Sequence, residues 1–203
     1  MDFKEHLKIA WEHTLQFIVP VILLTLVQMI VITFSLGIMA PVTTAGYMQS
    51  LLLALREGRE PKIGDLFSEM RLFLPLFAFG ILAVLVTLLG FVLLVVPGFF
   101  VAGFLVFSTI YMIPLMTDRN MSLFDAIKES WNMALRKPLT DQFVLTVLYL
   151  LILSIGGSIP LALVFAQPLA TFFVLSVYKE RLQSKRPAIE QSSTTSPLSD
   201  HEA

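Results

Sequence analysis

The chain has 203 residues, of which 56% are apolar and only 14% charged, with a formal net charge of −1. A soluble domain carries about 25% charge, so this composition excludes an ordinary water-soluble globule, and it offers no basic surface to a nucleic-acid partner. There is no cysteine, which removes disulfides, thiolate metal sites and a cysteine nucleophile.

The first apolar residues, Phe3, Leu7, Trp11 and Leu15, recur at helical spacing against Lys4, Glu5, Lys8 and Glu12. That pattern predicts an amphipathic helix in a membrane interface. Its mixed charge is unlike the short basic start of a cleavable signal peptide, so the apolar run that follows, Leu15–Leu36, reads as a retained first span. Ile38–Leu55 is a second apolar stretch and the most polar of the set, with Thr43, Thr44, Tyr47, Gln49 and Ser50. It either lines an interior or forms a re-entrant segment. A shorter amphipathic piece follows, with Ile63, Leu66, Phe67 and Met70 beside Asp65 and Glu69. Leu72–Val96 and Phe99–Met116 then make a hairpin around Val96-Pro97-Gly98-Phe99, residues suited to a type II turn. Ser122-Leu123-Phe124-Asp125 resembles a capped helix start, continued by Phe124, Ile127, Trp131 and Leu135 at helical spacing. The last two spans are Phe143–Ser158 and Ile159–Tyr178. From about Gln183 the chain turns to Ser, Thr and Pro, a composition that predicts disorder. The division is therefore a membrane domain over 1–182 and a disordered cytoplasmic tail over 183–203.

Charge sets the expected topology. The Lys and Arg residues fall at the N-terminus, in 56–71, in 117–141 and in the tail, whereas the connections near Gly37, Pro97 and Gly157 carry no charge. Short loops rich in Lys and Arg stay in the cytoplasm. Six spans put all four basic regions on that side, so a multi-pass protein of the inner membrane with both ends inside is predicted.

The pieces also repeat. Shifts of 60 and 120 residues superpose Glu5, Asp65 and Asp125, then Leu7, Phe67 and Ile127, then the turns at Gly37, Pro97 and Gly157, then Arg59, Arg119 and Lys179. The fold class read from this is an all-α bundle of six transmembrane helices plus amphipathic interfacial helices. Three tandem units are expected, 1–60, 61–120 and 121–182, each an interfacial helix followed by a hairpin. Closure of the three units into a ring would bring Lys179 to Glu5.

Residues that could carry chemistry are few. No charge lies deep in a span, which argues against a proton-coupled pump. His6 and His13 lack the further ligands of a metal site. No serine has a histidine and an acid in sequence context, and Glu57 and Glu60 sit among Arg56, Arg59 and Lys62 as a solvated loop. The reading is of no catalytic, cofactor-binding or metal residues, and so not an enzyme. Gln16, Gln28, Gln49, Thr109, Tyr111 and Gln167 suit interhelical hydrogen bonds. Ser158, Ala162, Ala166 and Ala170, with Ser154 before them, form a stripe of small residues that allows close helix approach, within the chain or to a protein partner or second copy. Pro41, Pro114 and Pro168 interrupt helical hydrogen bonding.

Pro41 to Gly46, Asp65-Leu66-Phe67, Val96-Pro97-Gly98, Asp118, and Asp125-Ala126 with Ser130-Trp131 resemble bacterial multi-helix membrane proteins. These are related to the membrane domain beside some glycerophosphoryl diester phosphodiesterases. The resemblance covers about residues 35–140. It implies an all-helical membrane module and no phosphodiesterase activity, because the soluble catalytic domain has no counterpart here. The function expected is a non-catalytic membrane module that binds lipid or a partner protein. The alternative is a small transporter or channel component for a neutral or amphipathic substrate.

Overall fold

A computed structural model describes residues 2–93, 95–136, 138–158 and 160–183. The segment read as a disordered tail lies outside these residues, apart from Gln183. All regular structure among the described residues is helical: α1 Phe3–Gln16, α2 Ile18–Phe34, α3 Ala40–Glu57, two short 3-10 turns at Ile63–Phe67 and Met70–Leu72, α4 Phe73–Leu93, α5 Val95–Thr109, α6 Met112–Asp118, α7 Leu123–Ala134, α8 Leu139–Gly157 and α9 Pro160–Gln183.

The starts of these elements follow from local chemistry. Asp2 caps α1 by accepting from the Lys4 and Glu5 amides, at 3.0 and 3.4 Å. Ser122 caps α7 as its sequence suggests, accepting from the Asp125 amide at 3.3 Å while its hydroxyl donates to the Asp125 carboxylate at 2.6 Å. The end of α3 is Gly58 at φ +66°, whose amide returns to the Ala54 carbonyl at 3.0 Å. Between α2 and α3 the chain reverses through Leu36 and Gly37, both at positive φ.

Several local expectations change. The piece at 63–70 is 3-10 rather than α, because Gly64 disfavours a helix and the Asp65 side chain turns back to accept from the Lys62 amide at 3.1 Å. Its Glu69 is buried beside Arg71, 3.0 Å away, instead of facing water. The type II turn at 96–99 does not form, since those residues open α5. Pro97 sits in the first turn, where its missing amide costs nothing, and Gly98 lets α4 come so close that a Cβ there would overlap Phe91. The stretch 99–116 is two helices, broken at Ile110 and Tyr111. Pro114 explains the break, because its ring clashes with the carbonyl four residues earlier.

Among the described residues four stretches are long and apolar enough to cross a membrane: Ile63–Val92, Val96–Asp118, Leu139–Gly157 and Ala162–Gln183. A fifth is added if α1 and α2 count as one bent span, though they meet at 87°. Within the first of these, α4 is apolar all round, and its Leu74, Leu82, Leu88 and Val92 are exposed to more than half their area. Such a surface suits hydrocarbon, not water. By contrast α3 and α9 form the core, with Tyr47, Leu51, Phe172, Phe173 and Tyr178 fully buried. A helix shielded in this way can carry Thr43, Tyr47 and Ser50 without exposing them to lipid.

Packing around the bundle is cyclic. The second helix of each hairpin meets the first helix of another, α3 with α4, α5 with α8, and α9 with α2. The shorter pieces also pair in a circle. The first 3-10 turn packs on α3, α7 packs on α6 and α5, and α1 packs on α9. In the sequence α1 is amphipathic through Leu7, Trp11 and Leu15, yet these stay exposed. The inward face is His6, Ala10 and Thr14. The same holds in α7, where Phe124 is exposed and Ala126, Ser130, Met133 and Ala134 are buried. Small and polar residues supply most of these inward contacts, whereas of the apolar stripe of α7 only Phe124 and Leu135 are exposed, with Ile127 packed on the core and Trp131 against Phe104.

Candidate functional site: the polar end of the bundle

The residues that end α3, α6 and α9 converge. Asp118 is the last residue of α6, and its side chain is only 10% exposed. Arg56, in the last turn of α3, forks onto it, with Nη2 donating to Oδ2 at 2.9 Å and Nη1 donating to Oδ1. Tyr178 of α9 donates its hydroxyl to the same carboxylate at 3.0 Å. One buried acid thus ties together the inner helices of all three hairpins. Arg119 adds a longer contact, Nε to Oδ2, at 3.7 Å. A groove of about 470 Å³ opens beside this cluster, lined by Arg56, Asp118, Arg119, Lys179, Leu182 and Gln183.

A second groove of about 420 Å³ lies between α1 and α9, and Glu5 and Lys179 both line it. The direct contact there joins His6 Nε2 to the Glu180 carboxylate. The other ring nitrogen of His6, Nδ1, lies 2.9 Å from the Ser176 hydroxyl. Serine, histidine and glutamate therefore meet across 170 residues of sequence, which no local motif could reveal. Geometry argues against a nucleophile. Ser176 lies inside α9, and its hydroxyl is also 2.9 Å from the Phe173 carbonyl of its own helix. The surrounding amides are committed to helical hydrogen bonds and cannot form an oxyanion hole. Among the described residues no group of acids and histidines could hold a metal ion.

Arg181 is buried, with its guanidinium 5.5 Å from the Tyr111 ring centre and Nη1 donating to the Met133 carbonyl. It fastens the end of α7 to α9 through charge and ring face together.

The polar residues within the apolar stretches pair as expected for a helical bundle. Gln167 donates to Gln28 at 2.8 Å, Gln28 donates to Thr44 at 3.3 Å, and Tyr111 donates to Gln142 at 2.9 Å. Thr109 instead donates to the Leu105 carbonyl of its own helix, at 2.6 Å. Gln16 is exposed, and the Gln49 side-chain oxygen is buried without a hydrogen-bond partner. Within the small-residue stripe, Ala170 is fully buried and a Cβ on Gly156 would overlap Ala166, so α8 and α9 use that close approach inside the chain. Ser158 is exposed.

On the outer face, a groove of about 450 Å³ separates α5 from α8, lined by Phe99, Phe100, Gly103, Phe104, Phe107, Phe143, Thr146, Val147 and Leu150. Fold and surface together define an all-helical membrane protein. No family model, curated protein or solved structure matches the chain.

Proposed function

We propose that this chain is a non-catalytic, six-span module of the inner membrane that binds lipid in the seams between its hairpins. The observation that carries the reading is the aromatic groove between α5 and α8. Its volume of about 450 Å³ is in the range of small-ligand pockets, and Phe99, Phe100 and Phe104 on its rim are exposed. A concave apolar surface on the outside of a membrane bundle matches a hydrocarbon tail.

Filling the groove tests this. A Cβ at Gly103 would meet nothing within 4 Å, so Gly103→Phe adds a ring without disturbing the backbone. Native mass spectrometry of the detergent-extracted protein should show bound phospholipid on the wild type. At least a fivefold lower occupancy is expected on Gly103→Phe, with the melting temperature unchanged. Equal occupancy on both proteins would remove the groove as the lipid seat.

Six spans require α2 and α3 to cross as well. At 17 and 18 residues they reach about 26 and 27 Å, close to a hydrocarbon core of about 30 Å. The basic loops support an orientation with both chain termini in the cytoplasm. The exposed charges of α1 and its exposed Leu7, Trp11 and Leu15 fit an interfacial position. The chain has no native cysteine, so single-cysteine reporters check the topology. Gly37 is unsuited, since φ is +83° there, and Ile38 is the better site at 48% exposure. Cysteine at Ile38 should react with an impermeant maleimide added to intact spheroplasts, and cysteine at Ser68 only after lysis. Labelling of Ser68 from outside would overturn the orientation.

The tandem triplication is part of the same proposal. Three elements begin at Phe3, Ile63 and Leu123, steps of 60 residues, and each is followed by a helical hairpin. Positions 6, 66 and 126 are each the first buried residue of their element, as His6, Leu66 and Ala126. The cyclic pairing of helices, with α1 returning to α9, supports a pseudo-threefold ring.

A further inference from the structure

Three cations face one carboxylate in the groove at the polar end of the bundle. Arg56, Arg119 and Lys179 come from the ends of three different hairpins, and Asp118 is the acid among them. We propose that this groove seats a phosphate group, carried by the headgroup of an anionic phospholipid or by a soluble phosphoester. The lipid source rests on the module reading given above, whereas the phosphate chemistry does not.

Asp118 is already engaged by Arg56 and Tyr178, both of which hydrogen-bond to it directly. Arg119 reaches it only at 3.7 Å and keeps nearly half of its side chain exposed. Lys179 closes the other side of the groove. The ordinary role of cations at these positions is to offset the negative ends of helices. Here three of those carbonyls have other donors. The Leu115 carbonyl accepts from the Arg119 amide at 3.1 Å, the Met116 carbonyl from Arg71 at 3.4 Å, and the Arg181 carbonyl from Arg136 at 3.4 Å. Arg119 and Lys179 both line the groove, and Lys179 also borders the second groove beside Glu5 and Glu180. A guanidinium beside an ammonium is suited to phosphate, the first through its planar fork and the second as a point charge. The volume of about 470 Å³ leaves room for a glycerophosphate headgroup. The groove also sits at the end of membrane-crossing helices, the depth at which phospholipid phosphates lie.

The test uses the full chain in neutral detergent and follows its melting temperature. Phosphatidylglycerol is compared with phosphatidylcholine at equal mole fraction, and glycerol 3-phosphate with chloride at equal ionic strength. A saturating ligand stabilises by several RT, so phosphatidylglycerol should raise the melting temperature by about 4 °C over phosphatidylcholine. The double variant Arg119→Gln/Lys179→Gln should lose most of that rise, and Arg119→Lys/Lys179→Arg should keep it. The baseline melt in phosphatidylcholine shows whether each variant is folded. A rise with glycerol 3-phosphate that the double variant also loses supports the phosphate seat and assigns it to a soluble source. No rise with either phosphate compound, or a rise that persists in the double variant, overturns the seat. The glycerol 3-phosphate arm contains no acyl chain, so failure of the aromatic groove leaves it unaffected.

Discussion

Asp118→Ala is expected to destabilise the protein by about 3 kcal/mol, because it removes the shared acceptor of Arg56 and Tyr178, and a hydrogen bond to a charged group is worth about 1.5–3 kcal/mol. The lower part of that range applies to each bond, since Arg56 is solvent-exposed and recovers hydration. Two groups lose a partner at once: the guanidinium of Arg56 and the hydroxyl of Tyr178, the latter fully buried. For a chain of this size a loss of about 3 kcal/mol lowers the melting temperature by roughly 6–12 °C. Tyr178→Phe removes one hydrogen bond and should cost about 1 kcal/mol. Arg56→Ala and the double variant complete a cycle, and a coupling above about 1 kcal/mol would confirm that the two side chains act as a pair. A melt of Asp118→Ala within 2 °C of wild type would show that the three inner helices are held by apolar packing alone.

The second large effect has the opposite sign from helix propensity. Glycine to alanine inside a helix normally stabilises by about 1 kcal/mol. At Gly46 of α3, a Cβ would overlap the backbone carbonyls of Asp65 and Leu66, which cannot swing aside as a side chain could. Gly46→Ala should therefore destabilise, by about 3 kcal/mol at the upper end of overpacking costs. The damage should propagate, since the displaced turn holds Asp65, whose carboxylate accepts from Ser50 at 2.7 Å and pairs with Arg59. Gly80→Ala is the control. Its Cβ would stand 3.6 Å from the Pro41 ring, an ordinary contact, so it should be neutral or slightly stabilising. Thermal melts of both variants in one detergent decide the matter, and a stabilised Gly46→Ala would show that α3 and the 3-10 turn do not touch as described.

Helix class and most element positions were legible because apolar runs and helical spacing are local signals. Ser122 and Asp125 announced a cap, and the cap is there. Gly37 announced a turn, and its φ is positive. What could not be read was which face of each amphipathic piece turns inward. Leu7, Trp11 and Leu15 look like a core face, yet a membrane supplies an apolar solvent, so burying them against protein gains little. His6, Ala10 and Thr14 pack inward instead because small and hydrogen-bonding residues make the close contacts. Pro97-Gly98 had the composition of a turn and became the start of a helix. Either geometry satisfies a proline without an amide, and close packing on Phe91 selected the helix. The polar end was the least legible part. Arg56, Asp118 and Tyr178 are separated by about 60 residues each, and His6 and Glu180 by 174. No spacing rule links such positions until the bundle brings helix ends together.

The pairing of α1 with α9 has a consequence for the order of biosynthesis. α1 docks on α9, a helix made well after it, through contacts 170 and more residues apart, such as His6 with Ser176. At synthesis rates of about 5–20 residues per second, α1 emerges roughly 10–30 s before its partner exists. During that interval its inward face, His6, Ala10 and Thr14, has no protein to meet. The exposed Leu7, Trp11 and Leu15 can hold it at the bilayer surface meanwhile, so the outward stripe acts as a temporary mooring for the nascent chain. Insertion of α9 then supplies the partner of α1, and a ribosome stalled before α9 would leave α1, α2 and α3 without the helix they share.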